Sequence, residues 1–123
     1  MKDATILVAE DDLNSSELLT EMLEMDDYTV EVAATAVEVL DALRARRFSA
    51  VLLDLTMPGM SREKFIEELC DLPSPSPFIV FSARPAQEVR EIADTLRATA
   101  VLLKSSDVDH MLATIARVAR PSA

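Results

Sequence analysis

The sequence has little cysteine, glycine or basic charge, and each shortage excludes a class of site or partner. One cysteine, Cys70, cannot form a disulfide framework or a multi-cysteine metal site. One glycine, Gly59, excludes the glycine-rich phosphate loops, which need two or three glycines. The 12 Lys and Arg stand against 22 Asp and Glu, a formal net charge of −10, which disfavours direct binding to nucleic acid or to an anionic membrane surface.

Long apolar runs are lacking too. No stretch approaches the roughly 18 consecutive apolar residues of a membrane-spanning helix. Residues 6–9 are the only apolar run before the acidic Glu10, which is not the pattern of a signal peptide. The composition that remains, 50% apolar and 28% charged over 123 residues, is globular. We therefore expect one cytoplasmic domain at 1–123, with a core at about 4–120.

Short apolar runs recur along the chain at intervals of about 25 residues. They lie at 6–9, 28–32, 50–53, 78–81 and 100–103. Four are continuous, which is typical of parallel strands covered on both faces. The run at 28–32 alternates between apolar and polar residues, which indicates a strand at the edge of the sheet.

Apolar residues spaced three and four apart predict a helix after each strand. Their stripes are Leu18/Leu19/Met22/Leu23, Ala36/Leu40/Leu43, Phe65/Ile66/Leu69, Val89/Ile92/Ala93/Leu96 and Val108/Met111/Leu112/Ile115/Ala119. Thr35 and Ser106, each followed three residues later by an acid, predict the N-caps of the second and fifth helices. The fold class is therefore α/β: a single doubly wound parallel (βα)5 sheet, flavodoxin-like, with strand order 2-1-3-4-5.

Polar residues follow four of the five predicted strands. They are Glu10, Asp11 and Asp12 after the first, Asp54 after the third, Ser82 after the fourth and Lys104 after the fifth. Open α/β sheets bind ligands at the carboxyl ends of their strands, near the switch point between the first and third. We therefore expect these side chains to share one edge of the sheet.

Four acids and one lysine leave this edge strongly negative, and carboxylates that close together repel unless a proton or a cation neutralises them. Oxygen ligands with open positions suit Mg²⁺, which keeps several waters and also binds phosphate oxygens. One carboxylate could then act as a nucleophile and form an aspartyl phosphate. Lys104 and Ser82 are of the right type to neutralise the oxygens of a transferring phosphoryl group.

The segments Ile6–Asp12, Asp54–Gly59 and Ser82-Ala83, together with Lys104, resemble in order and spacing the receiver domains of response regulators in two-component signalling. The chemotaxis regulators are members of that family. The resemblance implies that Asp54 is the phosphoacceptor. It implies that Asp11 and Asp54 bind Mg²⁺ directly, Glu10 through water and Thr56 through its main-chain carbonyl. It assigns contacts with the phosphoryl group to Ser82 and Lys104.

The resemblance also implies the partners. A sensor histidine kinase or a phosphotransfer protein would supply the phosphoryl group, and an output protein would bind the face formed by the fourth helix, fifth strand and fifth helix. The chain would act as a monomer or weak dimer without binding nucleic acid or membrane directly. It would not be an enzyme beyond assisting its own phosphorylation and dephosphorylation. The ends of the sequence suit a stand-alone regulator, and a domain of a longer protein is equally compatible.

Two positions depart from the family pattern and keep alternatives open. Ser105 replaces the usual proline after the lysine, so we expect a trans peptide or a rearranged loop there, because a non-prolyl cis peptide costs about 2.5–4 kcal/mol. Val101 replaces the aromatic residue that, with Ser82, forms the usual switch.

One alternative is therefore a pseudo-receiver, an interaction module independent of phosphorylation. Another is an aspartyl-phosphate phosphatase like the haloacid dehalogenases, which the hydroxyl residue Thr56 disfavours because those enzymes have a second acid at that position.

Overall fold

The computed structural model describes residues 4–72, 76–83 and 85–119. Strands and helices alternate along these residues. They are β1 (Thr5–Ala9), α1 (Leu13–Met25), β2 (Thr29–Ala33), α2 (Ala36–Ala45), β3 (Ala50–Leu53), α3 (Arg62–Cys70), β4 (Phe78–Ser82), α4 (Ala86–Leu96), β5 (Ala100–Leu103) and α5 (Val108–Ala119). The predicted (βα)5 order is confirmed. The predicted domain limits, 1–123, extend beyond the described residues at both ends.

The strands form one parallel sheet in the order β2-β1-β3-β4-β5, as the sequence predicts. The predicted edge position of β2 is confirmed. Its residues are less buried than those of the central strands: Val30 and Glu31 are half-buried, and Val32 is 42% exposed. A strand with one open side keeps polar residues such as Glu31, whereas the central strands do not.

Two layers of helices cover the sheet, one on each face. In β3, Val51 and Leu53 pack into the layer with α2, α3 and α4, whereas Leu52 packs into the layer with α1 and α5. Every side chain of β3 and β4, and every one of β1 except the half-buried Thr5, is therefore buried, which explains their continuous apolar runs. The carboxyl ends of the parallel strands share one edge of the sheet, where the predicted site lies.

The helix starts confirm one predicted N-cap and correct the other. Thr35 Oγ1 accepts from the Glu38 N–H at 3.1 Å, and Glu38 Oε1 accepts from the Ala34 N–H at 3.3 Å. The prediction of Ser106 as a cap is wrong. The Ser106 N–H donates to the Leu103 carbonyl in a turn after β5, and Asp107 caps α5 instead, accepting from the His110 N–H at 2.8 Å.

Two residues of the predicted apolar stripes do not reach the core. Leu18 is exposed because Leu19 and Leu23, four residues apart, form the face of α1 that packs on the sheet. Val108 is exposed at the first position of α5. Within the described residues, no helix is long and apolar enough to cross a membrane.

Candidate functional site

The sheet brings two predicted acids side by side. β1 and β3 are neighbours, so Glu10 and Asp54, which directly follow them, leave the sheet at adjacent positions. Main-chain bonds fix both: the Asp54 N–H donates to the Ala9 carbonyl and the Glu10 N–H to the Ala33 carbonyl, each at 3.1 Å. Both acids are almost fully buried, Glu10 at 3% and Asp54 at 6% exposure.

Asp11 completes a cluster of three carboxylates with Glu10 and Asp54. One oxygen from each lies within 4.8 Å of the other two. Asp11 is exposed, whereas the other two are buried, so the cluster opens to solvent on the Asp11 side. Three carboxylates at this separation repel one another strongly unless a positive charge lies between them.

Lys104 supplies that positive charge. Its Nζ donates to Asp54 Oδ2 at 2.7 Å and lies 3.3 Å from Glu10 Oε2. The Lys104 N–H also donates to the Ser82 carbonyl at 2.9 Å, which ties the residue to the end of β4. The peptide that follows, Lys104–Ser105, is trans as expected, since the described residues contain no cis peptide bond. The substitution of proline by serine therefore leaves the lysine at the carboxylates.

The second oxygen of Asp54 is held by the main chain. The Thr56 N–H donates to Asp54 Oδ1 at 2.8 Å, so each carboxylate oxygen has its own partner. The loop after β3 therefore folds back over the acid that precedes it. This fixes the rotamer of the Asp54 side chain and directs the carboxylate toward Glu10 and Asp11.

Burial, hydrogen bonds and neighbouring charges shift the pKa values of Glu10, Lys104 and Asp12. Burial, reinforced by the neighbouring Asp54, raises the pKa of Glu10 to about 7 from 4.5. Burial disfavours the charged ammonium of Lys104, but its bonds and charge attraction to Asp54 and Glu10 outweigh that effect and raise its pKa. Bonds from Ser15 lower the pKa of Asp12.

Asp12 does not share the site, contrary to the expectation that four acids converge there. Its side chain accepts from the Ser15 N–H at 2.9 Å and forms the N-cap of α1. The requirement of the helix for a cap explains this orientation, because an N-cap carboxylate satisfies an N–H that has no partner within the helix.

Ser82 and Val101, the two residues that the resemblance assigns to the switch, lie on the neighbouring strands β4 and β5. Ser82 ends β4, is buried, and lies beside Lys104 through the main-chain bond already described. Val101 lies within β5, half-buried, and packs against the core layer that contains α4. In the sheet register Val101 pairs with Val80 of β4.

Sequence reasoning missed one residue of the site, Phe81. Its ring lies under Lys104, with Nζ 5.4 Å from the ring centroid. An aromatic residue directly before Ser82, at the end of a central strand, was the available signal. An aromatic residue at this position is equally typical of an ordinary core residue, and Phe81 also packs in the core layer with α1 and α5.

The donor atoms of the cluster fit a divalent cation. Glu10, Asp11 and Asp54 offer only oxygen, the ligand that Mg²⁺ prefers, and the exposed side leaves room for water and phosphate oxygens. Lys104 offsets only part of the negative charge of these three carboxylates, so a dication could neutralise the remainder. The residues present therefore fit the predicted magnesium site.

Comparison with known proteins finds one matching family model and several similar response regulators. The family model described as "Response regulator receiver domain" matches residues 6–116. The response regulator MprA of Mycobacterium sp. (strain KMS) is 30% identical over 115 residues, covering 94% of this chain and 50% of the relative. The transcriptional regulatory protein CpxR homolog of Haemophilus influenzae is 30% identical over 118 residues, covering 96% and 51%. The chain thus spans about half the length of these curated relatives.

Solved structures agree on the fold. The non-phosphorylated receiver domain of HemR from Leptospira biflexa has a TM-score of 0.83 and 31% identity, covering 98% of each chain. The receiver domain of the sensor histidine kinase PA1611 from Pseudomonas aeruginosa has a TM-score of 0.83 at 20% identity, covering 98% of this chain and all of that one. That structure has a magnesium ion in its active-site cleft, and at this identity the likeness shows the fold alone. With its family match extending from β1 into α5, this chain belongs to the response regulator receiver domains of two-component systems.

Proposed function

We propose that the chain accepts a phosphoryl group on Asp54 and transmits the change through contacts with another protein. The observation that carries the proposal is the position of the Lys104 ammonium on Asp54 Oδ2, inside a cluster of three carboxylates that fits a divalent cation. A lone buried carboxylate would be a poor nucleophile, because burial favours its protonated form. The lysine places a positive charge beside the carboxylate, where the oxygens of a transferring phosphoryl group would carry negative charge.

In the proposed reaction, an oxygen of Asp54 attacks phosphorus and an O–P bond forms. The bond between phosphorus and the leaving group breaks: the N–P bond of a phosphohistidine, or an O–P bond of acetyl phosphate, which leaves as acetate. Lys104, which bonds Asp54 Oδ2, would move to an oxygen of the incoming group, and the buried Ser82 hydroxyl would contact a second oxygen. The Thr56 N–H would hold Asp54 Oδ1 and keep the carboxylate in one orientation while Oδ2 reacts.

Mg²⁺ belongs to this proposal as the bound cofactor. Asp11 and Asp54 would ligate it directly, Glu10 through water and Thr56 through its main-chain carbonyl. The ion supplies charge neutralisation for the phosphoryl oxygens in the transition state. Asp11 suits direct ligation because it is the exposed member of the cluster, on the side open to solvent.

The proposed donor of the phosphoryl group is a sensor histidine kinase or a phosphotransfer protein. The proposed location of this transfer is the cytoplasm. The proposed output surface is the α4-β5-α5 face, in a monomer or weak dimer, and the domain would catalyse only its own phosphorylation and dephosphorylation. Val101 gives a second candidate some support. Valine has no aromatic ring that could move between an exposed and a buried position, and Val101 is half-buried. The alternative is therefore a pseudo-receiver whose binding face does not change with phosphorylation.

The deciding experiment is intact-mass spectrometry after incubation with acetyl phosphate and Mg²⁺. We expect wild type to gain about 80 Da, the mass of one phosphoryl unit. Asp54→Ala should gain nothing, and Asp94→Ala, which removes an exposed acid on α4, should behave as wild type. EDTA should prevent the adduct. No adduct on wild type, or an equal adduct on Asp54→Ala, would overturn the proposal in favour of the pseudo-receiver. Continuous phosphate release from a generic phosphomonoester would point to the phosphatase alternative instead.

A further inference from the structure

We propose that Phe81 is a positioning residue for Lys104, holding the ammonium over the face of its ring during phosphoryl transfer to Asp54. The inference rests on the proposed function. Its geometric basis is the position of Lys104 Nζ, 5.4 Å from the Phe81 ring centroid, while the same atom donates to Asp54 Oδ2. A cation within about 6 Å of an aromatic centroid is attracted by the negative face of the ring.

Two neighbouring strands fix the ring and the lysine relative to each other. Phe81 lies in β4, pairs with Leu102 of β5 in the sheet register, and is only 7% exposed. Its ring belongs to the core layer with α1 and α5 and has little freedom to move. The Lys104 main chain is tied to the next residue of β4 by its bond to the Ser82 carbonyl.

The ring would do something that Asp54 cannot do. When Asp54 becomes an acyl phosphate, it loses its charge, and Lys104 must exchange its bond to Oδ2 for a bond to a phosphoryl oxygen. The attraction of the ring does not depend on the charge of Asp54, so Phe81 keeps the ammonium within reach during this exchange. An aliphatic residue at position 81 would fill similar space without the charge distribution of the ring.

NMR tests the contact without phosphorylation. The sequence has three lysines, Lys2, Lys64 and Lys104, so ¹³C-lysine labelling gives few signals to assign. We expect the Lys104 ε-CH₂ protons of wild type to be shifted upfield by the ring relative to those of Lys64. Phe81→Leu should abolish the shift and Phe81→Tyr should keep it. The same Lys104 shift in wild type and Phe81→Leu would overturn the inference.

Kinetics test the role. With acetyl phosphate and Mg²⁺, Phe81→Leu should be phosphorylated about threefold to tenfold more slowly than wild type, and Phe81→Tyr should restore the rate. A trifluorinated phenylalanine at position 81 keeps nearly the same shape but weakens the negative ring face, so it should be as slow as Phe81→Leu. Wild-type rates in either ring-weakened variant would overturn the inference. A wild type that forms no adduct would overturn the proposed function, and the NMR experiment would still decide whether Phe81 holds Lys104.

Discussion

The Lys104 ammonium lies 2.7 Å from Asp54 Oδ2, although the two residues are 50 positions apart in the sequence. The strand order explains the contact, because β4 alone separates β3 from β5 and all three strands end at the same edge. Lys104 therefore reaches across the end of one strand to neutralise an acid at the end of another. The same lysine also contacts Glu10 and offsets part of the negative charge of the cluster that Glu10 and Asp54 form with Asp11.

The first prediction is that the Lys104–Asp54 pair stabilises the metal-free fold. A double-mutant cycle with Lys104→Met and Asp54→Asn, measured by urea unfolding in EDTA, should give a coupling free energy of about 1–3 kcal/mol, since Asp54 is buried and the bond is short. The control cycle uses Lys64→Met and Glu68→Gln, an i,i+4 pair at 3.4 Å with a more exposed lysine. Its coupling should stay below about 0.5 kcal/mol. Equal couplings in the two cycles would contradict the prediction.

The second prediction separates the two adjacent acids after β1. Mg²⁺ at about ten times its dissociation constant should stabilise wild type by about 1.4 kcal/mol, because binding to the folded state alone adds RT ln(1 + [L]/Kd). Asp11→Asn should remove most of this gain. Asp12→Asn is the matched control: it removes the same charge one residue away, and asparagine caps α1 as well as aspartate does. Thermal melts with and without Mg²⁺ measure both, and an equal loss of the Mg²⁺ effect would show that only net charge matters.

The third prediction concerns a buried hydroxyl far from the site. Ser76 Oγ accepts from the Phe48 N–H at 2.8 Å, and both residues are buried. Ser76→Ala should lower the free energy of unfolding by about 1–3 kcal/mol, because it leaves a buried N–H without an acceptor. Urea unfolding measures the loss, with the exposed Ser105→Ala as control. Faster hydrogen exchange of the Phe48 amide should accompany it, and an unchanged midpoint would contradict the prediction.

Much of the fold could be predicted because strand burial leaves a strong pattern in the sequence. Residues 50–53 are continuously apolar since both faces of β3 are covered, and residues 28–32 alternate since β2 lies at an edge. Helix starts were less predictable. Ser106 and Asp107 are both good caps, and only the turn after β5, in which the Ser106 N–H bonds back to Leu103, decides between them.

The convergence of the site was predictable from topology, whereas the direction of individual side chains was not. A rule about strand ends brings Glu10, Asp54 and Lys104 together regardless of detail. Asp12 shares that location in the sequence, yet the unsatisfied N–H groups of α1 turn it away. The signal from Phe81 was ambiguous, because a buried aromatic residue satisfies the core whether or not a cation lies above it.

The fourth prediction follows from the pKa of Glu10, which burial and the neighbouring Asp54 raise to about 7 from 4.5. The folded protein holds this proton more tightly than the unfolded chain, so protonated Glu10 stabilises the fold. That contribution is complete below about pH 4.5 and is lost as the pH rises through about 7.

Glu10→Gln stays neutral throughout, so in EDTA its stability relative to wild type should rise between these pH values by on the order of 1–2 kcal/mol. Urea unfolding across the pH range measures the free energy of unfolding of both proteins. Subtracting the wild-type value from the Glu10→Gln value cancels the contributions of the other titrating groups. In an Asp54→Asn background the rise should shrink, because one of the charges that raises the pKa is gone. A stability difference that stays constant from pH 4.5 to 7 would mean that Glu10 is already ionised in the folded protein and that Lys104 alone neutralises the cluster.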